Sequence, residues 1–196
     1  METVNVTLAG VGGQGILLTA DVLARAAAIA GMDVKKSEIH GMAQRGGSVI
    51  SQVRFGISVH SPIVPAGGSD VLVAFDKLEA LRWAHILAPG GKAVVNDLYI
   101  VPVTVTSGQQ PGVDDLDGRL AAALPGAIMV DAAAMAAEAG SPRSMNMVLA
   151  GALSAICPFN ESHWDLAMTE LLSGPKARFL EANRKAFAAG RAAAAR

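Results

Sequence analysis

The sequence has very little of the material from which metal centres and disulfides are built. It contains one cysteine, Cys157, among 196 residues, so an intrachain disulfide is excluded. An iron–sulfur cluster held by this chain is excluded as well, because such a cluster needs about four thiolates. The four histidines show no ligand spacing with that cysteine. We therefore expect this chain to bind no metal.

Charge and long apolar runs are also scarce. Charged residues make up 17% of the chain and the net charge is −1, so no overall field favours nucleic acid or an anionic membrane surface. The stretch 144–160 contains no charged residue but is shorter than the ~20 apolar residues that span a bilayer. The start of the chain also lacks the pattern of a signal peptide. We predict a cytoplasmic protein that binds neither membranes nor nucleic acids.

Apolar residues, by contrast, make up 52% of the chain, and with so little charge this favours burial of surface against a partner. Their arrangement predicts an α/β fold: a Rossmann-like, mostly parallel sheet flanked by helices, with a hairpin and a helical C-terminal cap, as a single domain over 1–196. Strands are predicted at residues 4–9, 33–39, 49–55, 57–64, 71–75, 92–96, 99–105 and 127–130, with the hairpin turning at Gly56. Helices are predicted at residues 15–30, 77–87, 116–124, 145–156, 161–172 and 175–190.

Two side-chain arrangements are predicted on these helices. Asp21 and Arg25 are spaced i, i+4, which predicts an exposed ion pair on the first helix. Asp76 is followed three residues later by Glu79, a spacing close to that of a capping box. We therefore expect Asp76 to be the N-cap of the helix that starts at residue 77.

A glycine-rich turn follows the first predicted strand. Gly10, Gly12 and Gly15 satisfy the G-x-G-x-x-G spacing, which lets the chain turn tightly and places a helix N-terminus against an anion. The sequence leaves three roles open. The glycines could serve tight packing alone, or the backbone amides of Gly12, Gly13 and Gly15 could bind an anion or a partner group. The third role is binding of a dinucleotide, with Glu38 contacting its ribose.

A second glycine-rich segment, 40–48, follows the second predicted strand. Within it Gln44 offers paired donor and acceptor groups, Arg45 offers a planar fork for phosphate or carboxylate, and His40 can titrate or hydrogen-bond. Polar segments at the carboxyl edge of such a sheet are where ligands bind, so we expect a binding or interface loop rather than a purely mobile one. A dinucleotide-binding half has no need of this loop, which counts against NAD or FAD.

Together the two glycine-rich segments resemble the gamma-type domain of the 2-oxoacid:ferredoxin oxidoreductases. The likeness covers nearly the whole chain. The segments that resemble family motifs are Gly10-Val11-Gly12-Gly13-Gln14-Gly15-Ile16, Arg45-Gly46-Gly47-Ser48 with Val53-Arg54, Asp70-Val71-Leu72-Val73, Asn146 to Ala152, and 183–190. The form His40-Gly41-Met42-Ala43-Gln44 is similar to the indolepyruvate type of this family.

The resemblance implies the small, beta subunit of an enzyme that oxidatively decarboxylates an aryl 2-oxoacid with CoA to an acyl-CoA, CO2 and reduced ferredoxin. It places thiamine diphosphate and [4Fe-4S] clusters in the large, alpha subunit of an α2β2 complex. Electrons would pass to ferredoxin through that subunit. This chain alone would therefore be inactive and bind no cofactor. No residue of this chain is predicted to be catalytic. The candidate residues for binding CoA, substrate or the partner subunit are Gly12, Gly13, Gln14, Gly15, His40, Gln44, Arg45, Gly46, Gly47 and Ser48.

Two other functions remain open on the sequence. One is a free-standing oxidoreductase that binds NAD or FAD through the glycine-rich turn. The other is a non-catalytic interaction subunit of a related 2-oxoacid complex.

Overall fold

Six strands form one mixed sheet in the computed structural model, which describes residues 2–40 and 47–195. The strands are β1 (Val4–Val11), β2 (Asp33–His40), β3 (Ser48–Gly56), β4 (Ser69–Ala74), β5 (Leu87–Asn96) and β6 (Ile128–Val130). Their order is β2-β3-β1-β4-β5-β6. Strand β3 is antiparallel to β2 and β1, whereas the pairs β1–β4, β4–β5 and β5–β6 are parallel. The predicted α/β class with a mostly parallel sheet is confirmed.

Helices cover both faces of this sheet. They are α1 (Ile16–Ile29), α2 (Lys77–Trp83), α3 (Val103–Thr106), α4 (Leu116–Ala123), α5 (Ala132–Glu138), α6 (Met145–Ser154), α7 (Glu161–Leu171) and α8 (Leu180–Ala194). Helices α1 and α5–α8 lie on one face, and α2 and α4 lie on the other. Across residues 2–40 and 47–195, no helix has the length and apolar character needed to cross a membrane.

The strands supply two apolar layers by simple alternation. Leu8 and Val73 point toward α1 and α6, whereas Ala9 and Leu72 point toward α2 and α4. The C-terminal helices predicted as a cap form the first of these layers. Helix α6 lies at its centre and is buried along its length from Asn146 to Ser154, which explains why that part of the chain carries no charge.

Helices α6 and α8 cross at two glycines with their backbones in contact. A Cβ atom added to Gly151 would lie 1.9 Å from the carbonyl oxygen of Phe187, and one added to Gly190 would lie 1.9 Å from that of Val148. Neither distance leaves room for any side chain. The crossing fixes the position of α6, and through it the position of Asn146 at the start of that helix.

The predicted strand at 57–64 is wrong. Residues 57–64 form no strand, and two side chains of β3 bind this segment instead. Gln52 donates to the carbonyl oxygen of Val64 at 3.3 Å and accepts from its N–H at 3.0 Å, and Arg54 donates to the carbonyl oxygen of Ser61 at 2.9 Å. The hairpin is formed by β2 and β3 and not around Gly56, because β3 already has a strand on each side.

The predicted strand at 99–105 is also wrong. After β5 the chain turns away from the sheet, with the N–H of Ile100 donating to the Asp76 carboxylate at 2.6 Å, and Pro102 then starts the short helix α3. Proline has no N–H for a strand ladder, which favours this outcome. Helix α5 was not predicted, since its short alanine-rich sequence has no clear period.

The predicted Asp21–Arg25 ion pair is wrong as well. Asp21 pairs with Lys36 on β2, and Arg25 pairs with Glu170 on α7. Both side chains therefore tie α1 to neighbouring elements rather than to each other, and the i, i+4 spacing alone could not show that these partners were within reach.

Candidate functional site

The two glycine-rich segments meet at the carboxyl edge of the sheet. Strand β1 ends there at Val11 and β3 begins there at Ser48, and these two residues are paired in register. One step beyond them, the N–H of Gly12 donates to the carbonyl oxygen of Gly47 at 2.9 Å. We call residues 11–15 together with Gly47 and Ser48 the glycine edge.

Gln14 fills the crevice between the ends of β1 and β4. Its side-chain oxygen accepts from the N–H of Val11 at 2.7 Å, and its amide nitrogen donates to the carbonyl oxygen of Phe75 at 3.1 Å. Connections leave β1 and β4 on opposite faces of the sheet, so this crevice is the topological switch point where ligands of such folds commonly bind. The amide of Gln14 is used by the fold itself, so this side chain shapes the glycine edge.

The turn also places three backbone N–H groups at the start of α1. Gly13 has φ +104° with open space around it, and Gly15 has φ +84°. Residues other than glycine rarely adopt these backbone conformations. Within the described residues, the N–H groups of Gly13, Gly15 and Ile16 have no acceptor. Because the N-terminus of a 14-residue helix carries partial positive charge, these groups suit an anion or a carbonyl oxygen.

Asn146 approaches the same turn from α6. It is only 5% exposed, and its Nδ2 would lie 2.9 Å from a Cβ atom added to Gly15. Its backbone oxygen accepts from the Thr19 hydroxyl at 3.2 Å, but its amide makes no hydrogen bond to any residue that the structure describes. Asn146 was not predicted as a site residue, although a polar residue within the charge-free run 144–160 was a usable signal.

On the other side of the glycine edge, Ser48 is bound by a buried carboxylate. Its Oγ donates to Oε2 of Glu79 at 2.5 Å, and Oε1 of Glu79 accepts from Arg82 at 2.6 Å. Glu79 is 1% exposed. Glu79 was predicted only as part of a helix cap, and its contact with Ser48 was not predicted.

Asp76 is the N-cap of α2, as predicted. Its carboxylate accepts from the N–H groups of Leu78 at 2.8 Å and Glu79 at 3.3 Å. Next to it, Lys77 contacts Asp97 and Asp117 at 2.9 Å each, and hydrogen bonds to these two carboxylates raise the pKa of Lys77. The charges at this end of α2 are thus paired within the fold.

Several predicted site residues lie outside the described part of the chain. These are Gln44, Arg45 and Gly46, together with the side chain of His40, whose backbone ends β2. Gly12, Gly13, Gln14, Gly15, Gly47 and Ser48 are brought together at the glycine edge. In residues 2–40 and 47–195, no three His, Cys, Asp or Glu side chains converge as metal ligands would.

The position of Glu38 argues against a dinucleotide. In a dinucleotide-binding half the second strand adjoins the first, which places its acidic residue beside the glycine turn. Here β3 separates β2 from β1, so Glu38 lies two strands, or about 10 Å, from β1. Its carboxylate contacts Lys36 at 2.6 Å.

Comparison with known proteins identifies the family. Residues 5–193 match the pyruvate ferredoxin/flavodoxin oxidoreductase family. The chain belongs to this family. It is 40% identical over 190 residues to the indolepyruvate oxidoreductase subunit IorB of Archaeoglobus fulgidus, covering 95% of this chain and 92% of that protein. It is also 40% identical over 193 residues to the subunit of the same name in Thermococcus kodakarensis, covering 97% and 95%.

Solved structures show the same fold. The gamma subunit of a keto/oxoacid ferredoxin oxidoreductase from Geobacter sulfurreducens superposes with a TM-score of 0.70 at 24% identity, over 97% of this chain and 98% of that one. A 2-oxoglutarate:ferredoxin oxidoreductase from Magnetococcus marinus, with 2-oxoglutarate, coenzyme A and succinyl-CoA bound, superposes with a TM-score of 0.73 at 24% identity. This chain is covered over 99% of its length but corresponds to only 31% of that longer one.

Proposed function

We propose that this chain is the small subunit of an indolepyruvate or related aryl 2-oxoacid:ferredoxin oxidoreductase. The observation that carries the proposal is the 40% identity, over nearly the full length of both chains, to subunits of indolepyruvate oxidoreductase. The reaction is the oxidative decarboxylation of the 2-oxoacid with CoA to an acyl-CoA and CO2, with electrons passing to ferredoxin. The whole chain, 1–196, acts as one gamma-type domain.

In this function the glycine edge is the surface that meets CoA, the substrate or the large subunit. The N–H groups of Gly13, Gly15 and Ile16, which have no acceptor among the described residues, suit a phosphate or carboxylate. The amide of Asn146, which has no hydrogen-bond partner in the described part of the chain, adds a side-chain donor and acceptor beside Gly15. His40, Gln44, Arg45 and Gly46 belong to the same site in this proposal, on the evidence of the sequence alone.

The redox groups belong to the partner in this proposal. Cys157 is the one cysteine of the chain, and burial raises the pKa of its thiol to about 12, so it is poorly suited to act as a thiolate ligand. Thiamine diphosphate, which supplies the carbanion chemistry of decarboxylation, and the [4Fe-4S] clusters are assigned to the large subunit. In this proposal the residues of the glycine edge bind the ligand or the partner subunit and shape the site, and we assign them no proton transfer.

The proposed assembly is a cytoplasmic α2β2 complex that reduces ferredoxin through its large subunit. The test is to express this chain with and without the large subunit from the same genome, and to measure assembly and iron content. We expect a colourless chain on its own and an iron-containing complex with the partner. Iron–sulfur absorbance in the purified single chain, or failure of the two chains to associate, would contradict the proposal.

A further inference from the structure

Ser48 begins β3 at the glycine edge, opposite Val11 of β1. Its side chain reaches Glu79 on α2, with an Oγ to Oε2 distance of 2.5 Å. Ser48 is only partly buried, so the residue is not enclosed by the fold. It therefore stands between a buried carboxylate and whatever binds at the glycine edge.

The chemistry of Glu79 decides the direction of this hydrogen bond. A carboxylate has two acceptor oxygens and no donor, and Oε1 is already occupied by the guanidinium of Arg82 at 2.6 Å. Ser48 must therefore donate its only proton to Oε2. Toward any third group the Ser48 oxygen can act only as an acceptor.

We propose that Glu79 is a positioning residue that fixes the Ser48 hydroxyl as a hydrogen-bond acceptor for an N–H or S–H donor of the ligand at the glycine edge. The inference rests on the proposed function, which supplies two sources of such donors. One is the pantetheine arm of CoA, with its amide and thiol groups, and the other is the amide groups of the large subunit.

The neighbouring groups make this polarity useful. The N–H groups of Gly13, Gly15 and Ile16 at the same edge have no acceptor among residues 2–40 and 47–195. Ser48 adds an acceptor beside the contact between Gly12 and Gly47. A ligand that carries acceptors on one part and a donor on another is thus oriented by its contacts with these N–H groups and with the Ser48 oxygen. Reversing the Ser48 hydroxyl would remove the second contact.

The test uses four variants of this chain in the complex with its large subunit: Glu79→Gln, Ser48→Ala, Ser48→Thr, and the double variant Glu79→Gln/Ser48→Ala. A glutamine at 79 must turn its oxygen to Arg82 and its NH2 to Ser48, which reverses the hydroxyl. Exposed Glu138 on α5 gives the matched control, Glu138→Gln. The measurements are kcat and KM for CoA, calorimetric binding of CoA to the complex, and the Kd for the large subunit.

We expect Glu79→Gln and Ser48→Ala each to weaken either CoA binding or binding of the large subunit about three- to tenfold, with a larger effect on that binding constant than on kcat. The double variant should be no worse than either single one, and Ser48→Thr, which keeps the hydroxyl, should match the parent protein. A change in CoA binding alone identifies CoA as the donor, and a change in the Kd for the large subunit alone identifies the partner.

The inference is overturned if Glu79→Gln and Ser48→Ala change the melting temperature alone, or if their effects add in the double variant. A parent complex that assembles but oxidises no aryl 2-oxoacid would contradict the proposed function, while the two binding constants would still decide the role of Glu79. A parent chain that bound neither CoA nor the large subunit would overturn the inference as well.

Discussion

The side-chain amide of Gln14 joins the end of β1 to the end of β4, accepting from the N–H of Val11 at 2.7 Å and donating to the carbonyl oxygen of Phe75 at 3.1 Å. Because its loss leaves these two backbone groups without their partner, we expect Gln14→Ala to lower the free energy of unfolding by about 1–3 kcal/mol. Denaturant unfolding measures this difference. Gln109→Ala, at an exposed position on a loop, is the control and should change stability by less than about 0.5 kcal/mol. Equal stability of the two variants would show that the Gln14 amide does not hold these strands together.

The crossing of α6 and α8 predicts a severe effect of adding a single methyl group. Gly151→Ala would place a Cβ atom 1.9 Å from the carbonyl oxygen of Phe187, which no side-chain rotation can relieve. We expect a loss of about 3 kcal/mol or more, or failure to fold, because the two backbones must separate. Gly112→Ala meets only an ordinary 3.6 Å contact with Val105 and serves as the control. A melting temperature of Gly151→Ala within a degree of the parent protein would contradict this packing.

Cys157 should be unreactive while the protein is folded. Burial raises the pKa of its thiol to about 12, although the Arg191 guanidinium acts in the opposite direction. At pH 8 only about one thiol in 10,000 is then ionised, and the thiolate is the form that alkylating reagents attack. Iodoacetamide labelling followed by mass spectrometry should be slow in buffer and rapid in denaturant. Rapid labelling of the folded protein would show an accessible thiolate at this position.

The sequence correctly predicted those elements whose hydrophobic pattern, capping residue or glycine spacing agrees with the fold. The apolar run of β4 and the capping residue Asp76 were predicted, as was the glycine turn before α1. The error at 57–64 has a specific cause, because the side chain of Gln52 takes the place of a strand partner for Val64. No hydrophobic period in that segment could reveal this substitution.

The candidate site was predicted in part, and for a similar reason. Closely spaced glycines indicate a tight turn, so Gly12, Gly13 and Gly15 were predicted as site residues. The second glycine-rich segment led to the prediction of Gly47 and Ser48. Asn146 and Glu79 come from distant helices, and only the tertiary fold brings them to this edge. Gln14 was found as a site residue, but its use within the fold depends on the carbonyl of Phe75, which is 61 residues away.

Arg45 should affect function far more than folding, a prediction that rests on the sequence. Truncating a side chain in a glycine-rich loop commonly changes stability by less than about 0.5 kcal/mol, whereas loss of a charge-assisted hydrogen bond costs ~1.5–3 kcal/mol of binding. We expect Arg45→Ala to reduce activity or affinity for the large subunit at least tenfold with little change in melting temperature. Arg45→Lys keeps the charge without the planar fork and should recover part of the loss. Exposed Arg119→Ala is the control, and an Arg45→Ala complex with normal assembly and turnover would rule out a role for this side chain.

The most direct test of the proposed function is turnover by the purified complex of this chain with its large subunit, under anaerobic conditions and with ferredoxin as acceptor. Indolepyruvate, pyruvate and 2-oxoglutarate are compared at equal concentration, each with and without CoA. The account predicts CoA-dependent ferredoxin reduction that is fastest with indolepyruvate and absent when either chain is omitted. Full activity of the large subunit without this chain, or a clear preference for pyruvate or 2-oxoglutarate, would contradict it.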